Sequence, residues 1–379
     1  MRRRRYASPA GGTDAPVDDL IDLAHNSVSL AVREMSCRIA IDSASFARAA
    51  ANLDRVAQLK LSDESLRKLV ESEGKAVLAW QDHEQLELDF DAGQCKTDQT
   101  ADGSVKSRLY VGIDGFMAPM VTDVEMGKRF VKAKARRKTL KRNKGVRRPP
   151  LVRRKGADQR YKEFKLVTMY DQEQAHKLMR VTRHGVGHAA RMLRGMAEDV
   201  HLHRADEVAA VTDGAEWIAG LIERNLPRDK TTAILDFYHA AQHVHQARRA
   251  VYGEQDPGGT RWADELIEAL LTQPHEKWWD QLVQTRARLR APAKRQAMDG
   301  LMQYLLSRRA KVDYARFRSM GLKIGSGPTE SGCKSESRRL KGVGMRWTGP
   351  NAEAMTAVEA LHQSNASATY WKSRLKAAA

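Results

Sequence analysis

Cysteine is scarce in this chain: Cys37, Cys95 and Cys333 are the only three in 379 residues. Thiols so few and so far apart exclude a disulfide framework and a closed cysteine-only zinc site, and three reduced thiols are expected. Long apolar runs are missing too. Nothing approaches the roughly 20 consecutive apolar residues that span a bilayer, and the arginines at 2–5 are not followed by a signal-type apolar segment. A soluble chain in the cytoplasm, with no membrane partner, is therefore the expectation. Acids are the third deficit: 47 Asp and Glu stand against 65 Lys and Arg, for a net charge of +18. That excess is unusual for an enzyme of small-molecule metabolism and suits a polyanion, since Lys and Arg neutralising phosphates supply most non-specific affinity for nucleic acid. What is present, 42% hydrophobic residues, is enough at this length for two or three domains with real cores.

Residues 1–20 are rich in Arg, Pro and Gly without periodicity and read as a basic flexible arm. Residues 21–80 read as helical. Within them, 45–57 places Phe46, Ala49, Ala50, Leu53 and Val56 on one face, and 62–73 has Ser62 as N-cap, Asp63 and Glu64 in the first turn and Gly74 as its stop. The pair fits a DNA-binding helix-turn-helix, and equally any small helical hairpin. Residues 81–103 are acidic and polar, a linker or surface hairpin. Residues 107–121 are β-prone, and Gly115 directly after Asp114 predicts a strand, an acid and a bend into a second strand; 163–169 predicts a third, completing an antiparallel meander.

Between those strands, about half of residues 128–160 are Lys or Arg, which predicts a disordered basic loop or a DNA-phosphate clamp that orders on binding. Residues 176–206 predict a helix carrying His184, His188, His201 and His203. The i,i+4 pair His184 and His188 has zinc-type spacing but no third ligand, so these histidines, with His243 and His245, are read as solvated or satisfied. Residues 252–320 are helical almost throughout, with Trp262, Leu266, Ala269 and Leu270, then Trp278, Trp279 and Leu282, then Met302, Leu305 and Leu306 on apolar faces. They predict an all-α insertion packed by its tryptophans.

Two short apolar runs, 208–211 and 232–235, lead to Asp213 and Asp236, and each is followed by an amphipathic helical pattern. Acids at strand tips lie where open α/β sheets gather ligands and metals. Further on, Pro328 suits a first helical turn with Glu330 just inside it and Arg338, Arg339 and Lys341 towards the other end; near a helix N-terminus a carboxylate is held in its charged form. Asp114, Asp213 and Glu330 together supply what a two-ion site needs, carboxylates able to clamp two divalent cations about 4 Å apart at a phosphodiester. All-oxygen donors favour Mg²⁺ or Mn²⁺. A strand-tip Asp taken singly is usually a turn or cap residue, and whether Asp213 or Asp236 is the second ligand stays open.

VGIDG at 111–115, VTDGAEWI at 211–218, ILDFYHA at 234–240, and the stretch from IGSGPTES through RRLKGVGMRW at 324–347 resemble the motifs of the ISKra4-type DDE transposases of bacterial insertion sequences. The resemblance runs in order over roughly residues 45–364. It implies an α/β, RNase H-like catalytic domain with a mixed five-stranded sheet, interrupted by an α-helical insertion and preceded by a small all-α, helix-turn-helix-like region at 21–80. The parts would be 104–251 with the basic loop 128–160, the insertion 252–320, the Glu-bearing segment 321–365 and a C-terminal tail 366–379.

On the same resemblance Asp114, Asp213 and Glu330 match the DDE triad that holds two Mg²⁺, and Asp236 and His239 match a supporting D-x-x-H pair. Arg338, Arg339, Lys341 and Arg346 would neutralise DNA phosphates, and Trp347 would stack a base or anchor its segment. The implied partners are DNA, as transposon ends and target, and further copies of the chain in a homodimer or larger assembly on DNA, near the bacterial nucleoid. One departure is that the Cys-x-x-Cys segment common in similar transposases is absent from residues 1–44, where only Cys37 occurs. Two other classes share these features: a non-catalytic or domesticated DNA-binding derivative, and a general RNase H-like nuclease.

Overall fold

A computed structural model describes residues 6–7, 13–14, 23–24, 28–82, 86, 88–139 and 149–378. The expected arm at 1–20 lies almost wholly outside them. β-branched and aromatic runs form the strands β1 (Lys106–Pro119), β2 (Tyr161–Asp171), β3 (Lys177–Thr182), β4 (Glu207–Thr212) and β5 (Thr231–Leu235), which lie in the order β3-β2-β1-β4-β5. The first three form the antiparallel meander; β4 then runs parallel to β1, and β5 parallel to β4. A two-residue strand, Lys96–Thr97, pairs with the start of β1. That order with those directions is an RNase H-like sheet, as the resemblance implied.

Side chains of β1 alternate between two covers. Leu109, Val111 and Ile113 pack with helices α5 (Val186–Asp199) and α6 (Glu216–Asn225), which cross between β3 and β4 and between β4 and β5. On the opposite face Tyr110 joins the core of the insertion, while Phe116, Ala118 and Met120 join the helices that begin and end the chain. Asp114 has the parity of Tyr110 and Phe116. It therefore faces the line where those two groups of helices meet.

Several expectations are corrected. β1 does not bend at Gly115: the ladder with β2 continues through Gly115↔Lys165 to Pro119↔Tyr161. Gly115 keeps an ordinary negative φ, so no turn starts there. The helix expected over 176–206 begins only at Val186, because Lys177–Thr182 is a strand. Within that strand Arg180 is buried and paired with Asp199 at 2.5 Å. Gly74 does not stop a helix. It lies inside α3 (Asp63–Asp82), where a Cβ would meet the carbonyl oxygen of Ala354 at 2.1 Å, so the residue permits a close crossing rather than a terminus.

That crossing bears on the expected helix-turn-helix. Helices α1 (Leu30–Asp42), α2 (Phe46–Ala57) and α3 share one buried cluster with Phe116, Phe164 and Leu166 of the sheet and with α13 (Gly349–His362). The basic segment read as a loop begins as helix α4 (Asp123–Thr139), with Asp123 and Glu125 at its N-terminus and Arg136, Arg137 and Lys138 at its C-terminus, the arrangement its dipole favours; residues 140–148 lie outside the described part. The expected tail is also a helix, α14 (Ala366–Ala378), and its Tyr370 is fully buried and donates to Glu73.

The insertion follows α7 (Phe237–Tyr252) and comprises α8 (Pro257–Thr272), α9 (His275–Arg288), α10 (Pro292–Leu306) and α11 (Tyr314–Ser319). Trp262 and Trp278 are buried in its core as expected, with the Trp262 indole donating to Thr285 at 3.0 Å. Tyr110, Val211 and Ile234 of the sheet belong to the same cluster, so the insertion covers that face. No helix among the described residues is long and apolar enough to cross a membrane.

Candidate active site

Register places the aspartates before any side-chain argument is needed. Thr212 is the partner of Ile113 on one side and of Leu235 on the other. Asp114, Asp213 and Asp236 are each the next residue, so they stand in a row across three adjacent strands, about 5 Å apart per step. Two of them end their strands, while Asp114 lies inside one.

Each acid is held differently. Asp114 is half-buried and accepts from the Gly115 N–H at 2.6 Å. Its pKa is raised, chiefly by burial and further by the Asp213 charge, against the lowering effect of Gly115, the Cys333 thiol and His239. Asp213 accepts from the Ala215 N–H at 2.9 Å, a tight turn in which Gly214 takes φ 78°. A side chain at 214 would be strained there and would also meet Leu235 at 2.6 Å. Asp236 is fully buried and caps α7: Oδ1 accepts from the His239 N–H at 2.9 Å and Oδ2 from the Ser326 N–H at 2.5 Å. The chain leaving the sheet for the insertion and the chain returning from it are thereby clamped to one carboxylate, helped by Phe237 N–H donating to Ile324 at 3.0 Å.

The returning chain forms α12 (Gly327–Leu340), with Pro328 and Glu330 in its first turn. This helix sits unusually close to the sheet. A Cβ on Gly112 would lie 1.7 Å from the Thr329 hydroxyl, and that hydroxyl shares a hydrogen bond of 2.8 Å with Thr168 of β2. A Cβ on Gly332 would meet Met179 at 2.8 Å. Seating Thr329 against β1 brings Glu330 to the acidic row, where ligand atoms of Asp236, His239 and Glu330 come within 4.8 Å of one another. Asp114 and Asp213 are not members of that tight group. Lys334 approaches Glu330 to 3.6 Å.

Other groups at the site were not singled out by sequence. Cys333, one helical turn beyond Glu330, is buried beside Asp114, and burial together with that carboxylate pushes its thiol pKa far up. From the insertion, Arg308 stacks over Tyr304 at 4.3 Å and donates to the Gly214 carbonyl at 3.4 Å. Burial, then the charges of Asp213 and Asp236 with Arg308 opposing, raises the Tyr304 pKa. His243, read as solvated or satisfied, stacks on Tyr304 at 3.7 Å, and burial, Arg308 and His239 lower its pKa. The i,i+4 spacings 239/243 and 304/308 were the available signal.

The residues expected to meet DNA divide. Arg338 and Lys341 are exposed, Arg338 lying 3.4 Å from Asp42. Arg339 is corrected: it is buried, donates to Ala40 O at 3.1 Å and lies 4.4 Å over Phe46, and burial pulls its pKa down to about 10. Trp347 is buried too, its indole donating to Leu340 O at 3.0 Å, so it anchors its segment rather than offering a stacking face. Arg346 is half-buried, paired with Glu125 and donating to Met120 O at 3.1 Å.

No family model matches the chain, and no curated protein matches it. Among solved structures it is similar to one described as the Drosophila P element transposase strand transfer complex, with 11% identity, a TM-score of 0.39, and coverage of 89% of this chain and 92% of that one. What identifies the fold is the sheet itself: its strand order and directions are RNase H-like.

Proposed function

We propose that this chain is a DDE transposase of the ISKra4 type, which cuts DNA at the ends of an insertion sequence and joins them to a target. The observation that carries the proposal is the row Asp114, Asp213 and Asp236 across β1, β4 and β5, with Glu330 delivered to it by α12. The donor chemistry fits divalent cations. Asp114 and Asp213 are near enough that one charge raises the pKa of the other, and the carboxylate oxygens suit Mg²⁺ or Mn²⁺. Asp114, Asp213 and Glu330 would hold two such ions, which when bound polarise the scissile phosphate and sharpen the attacking hydroxyl.

The chain's own residues do the rest. Water attacks phosphorus and the P–O3′ bond breaks, leaving a 3′-hydroxyl on the element; that hydroxyl then attacks a target phosphodiester and displaces its 3′-oxygen. Asp236 holds the first turn of α12 in place through Ser326, and so sets where Glu330 stands. His239 and Lys334 flank Glu330, and Arg308 brings positive charge to the Asp213 turn, where phosphate oxygens gain charge during reaction. The insertion helices close one side against water. Arg338, Lys341 and the exposed bases of α4 supply backbone contacts.

A second arrangement of the same chemistry has Asp236 as ligand in place of Asp213, and the approach of Asp236, His239 and Glu330 to within 4.8 Å favours it. Against it, both Asp236 oxygens already accept backbone N–H groups. The test is Mg²⁺-dependent cutting of DNA taken from the flanks of the chain's own reading frame, with Asp213→Ala and Glu330→Ala. Cutting that survives either change would overturn the assignment. Equal cutting of unrelated DNA would indicate a general nuclease, and binding without any product would indicate a non-catalytic derivative.

A further inference from the structure

At the other end of the sheet's central strands lies a cluster that the transposase chemistry does not use. Asp171 ends β2 opposite Leu109 of β1, five residues before Asp114, which is roughly 17 Å along the strand. His176 is in the hairpin between β2 and β3, and Cys95 precedes the short strand Lys96–Thr97 that pairs with the start of β1. A thiol, a carboxylate and an imidazole thus meet from three separate segments, their ligand atoms all within 4.8 Å of one another.

The internal hydrogen bonding leaves this cluster incomplete. His176 Nδ1 lies 3.0 Å from Asp171 Oδ2, and the Phe90 ring stacks on the imidazole at 5.5 Å, fixing its plane. Asp171 is 8% exposed, yet its Oδ1 is buried with no hydrogen-bond partner. An uncompensated carboxylate oxygen in the interior is costly. Cys95 is also buried, and its thiol donates to the Asp91 carbonyl at 3.4 Å. Burial and the Asp171 and Asp91 carboxylates push its thiol up to about 12, and a cation at this point would reverse the sign of that field.

We propose that Cys95, Asp171 and His176 bind a zinc ion that staples the turn at 92–97 to the β2–β3 hairpin. One sulfur, one nitrogen and one oxygen donor suit zinc rather than the oxygen-seeking Mg²⁺ of the acidic row. Tetrahedral ligands around zinc sit about 3.3–3.8 Å apart, so closure needs roughly 1 Å of side-chain movement. On binding, the Cys95 thiol loses its proton to solvent and its sulfur bonds to the metal; water fills the fourth position. The site does not depend on the chain being a transposase.

The test uses untagged full-length protein loaded with Zn²⁺ or Co²⁺ and passed over a weak chelating resin. About one metal per folded chain is expected, with the Co²⁺ form showing a near-ultraviolet thiolate-to-metal band. Cys95→Ser should abolish the band and His176→Gln should release most of the metal, while Cys333→Ser, beside the acidic row, should leave both unchanged. His176 is only half-buried, so its variant keeps the test valid if Cys95→Ser fails to fold. Folded wild-type protein that retains no stoichiometric metal overturns the proposal. So does a band lost with Cys333→Ser rather than Cys95→Ser.

Discussion

Adding one methyl group at Gly112 should disable the site without touching any acid in it. A Cβ there would stand 1.7 Å from the Thr329 hydroxyl, 2.7 Å from that of Thr168 and 2.9 Å from the Thr329 Cβ. Since non-bonded heavy atoms settle near 3.5 Å, the first turn of α12 must lift by about 1.5–2 Å. Glu330 follows Thr329 directly and moves with it. Misplacement of a catalytic group by about 1 Å can cost on the order of a hundredfold, so Gly112→Ala should lower the single-turnover cleavage rate by at least about that factor. Overpacking should cost a further 1–3 kcal/mol of stability, roughly. The rate should be measured well below the melting transition, on DNA from the flanks of the reading frame. Thr329→Gly in the same chain removes the Thr329 hydroxyl and Cβ together and should recover most of the rate. If Gly112→Ala cuts at the wild-type rate, the seating of α12 on β1 is not what positions Glu330.

Further outcomes are expected. Because burial and Asp213 raise the Asp114 pKa above its ordinary 3.8, the ionised form is the one the fold disfavours; the native state then loses stability as pH rises from near 3.8 through the folded-state value. Asp114→Asn should therefore raise the melting temperature at neutral pH without Mg²⁺, lose that advantage in acid below the unfolded value, and abolish cutting; a lower melting temperature at neutral pH would contradict this. Asp236→Asn should cost about 1–3 kcal/mol in denaturant unfolding, because its new amide opposes one of two N–H donors, whereas Asp213→Asn should abolish cutting with little loss of stability. Equal unfolding midpoints for the two variants would refute the distinction. Changing Lys128, Arg129, Lys132, Arg136, Arg137 and Lys138 of α4 to Gln should flatten the log–log salt dependence of DNA binding by about 0.9 for each phosphate that the helix no longer neutralises. An unchanged slope in an anisotropy titration would remove α4 from the DNA surface.

The part of the chain that carries the sheet and the acidic row was legible because its signals are local. Runs such as VAAVTD and TAILD state a buried strand and its end in the same few residues, and GPTE states a helix start. The places where the reading failed depend on partners distant in sequence. Gly115 resembled a bend, but β2 holds it inside a long ladder. Residues 177–182 resembled part of a helix, and only their pairing with β2 makes them a strand. Gly74 resembled a helix stop until the backbone of Ala354 is placed against it. Arg339 and Trp347 sit in a run of bases that looks like a DNA contact, yet Phe46 from the opposite end of the chain encloses them. A charge pattern cannot tell a phosphate from an aromatic ring. The Tyr304, Arg308 and His243 side of the site arises from the insertion folding back on Asp213, which no spacing within one segment states.

The hydrogen bond between Thr168 and Thr329 joins residues 161 apart in sequence, and this bears on when the acidic site is completed as the chain is made. The aspartate row needs only β1, β4 and β5, which can pair once those segments have left the ribosome. Glu330 and its seat on Gly112 come much later, after the whole insertion. Contacts of such separation are closed slowly. On the proposed function, a nascent chain would therefore carry three assembled aspartates for an interval with no glutamate beside them, and would not yet cut the DNA that encodes it.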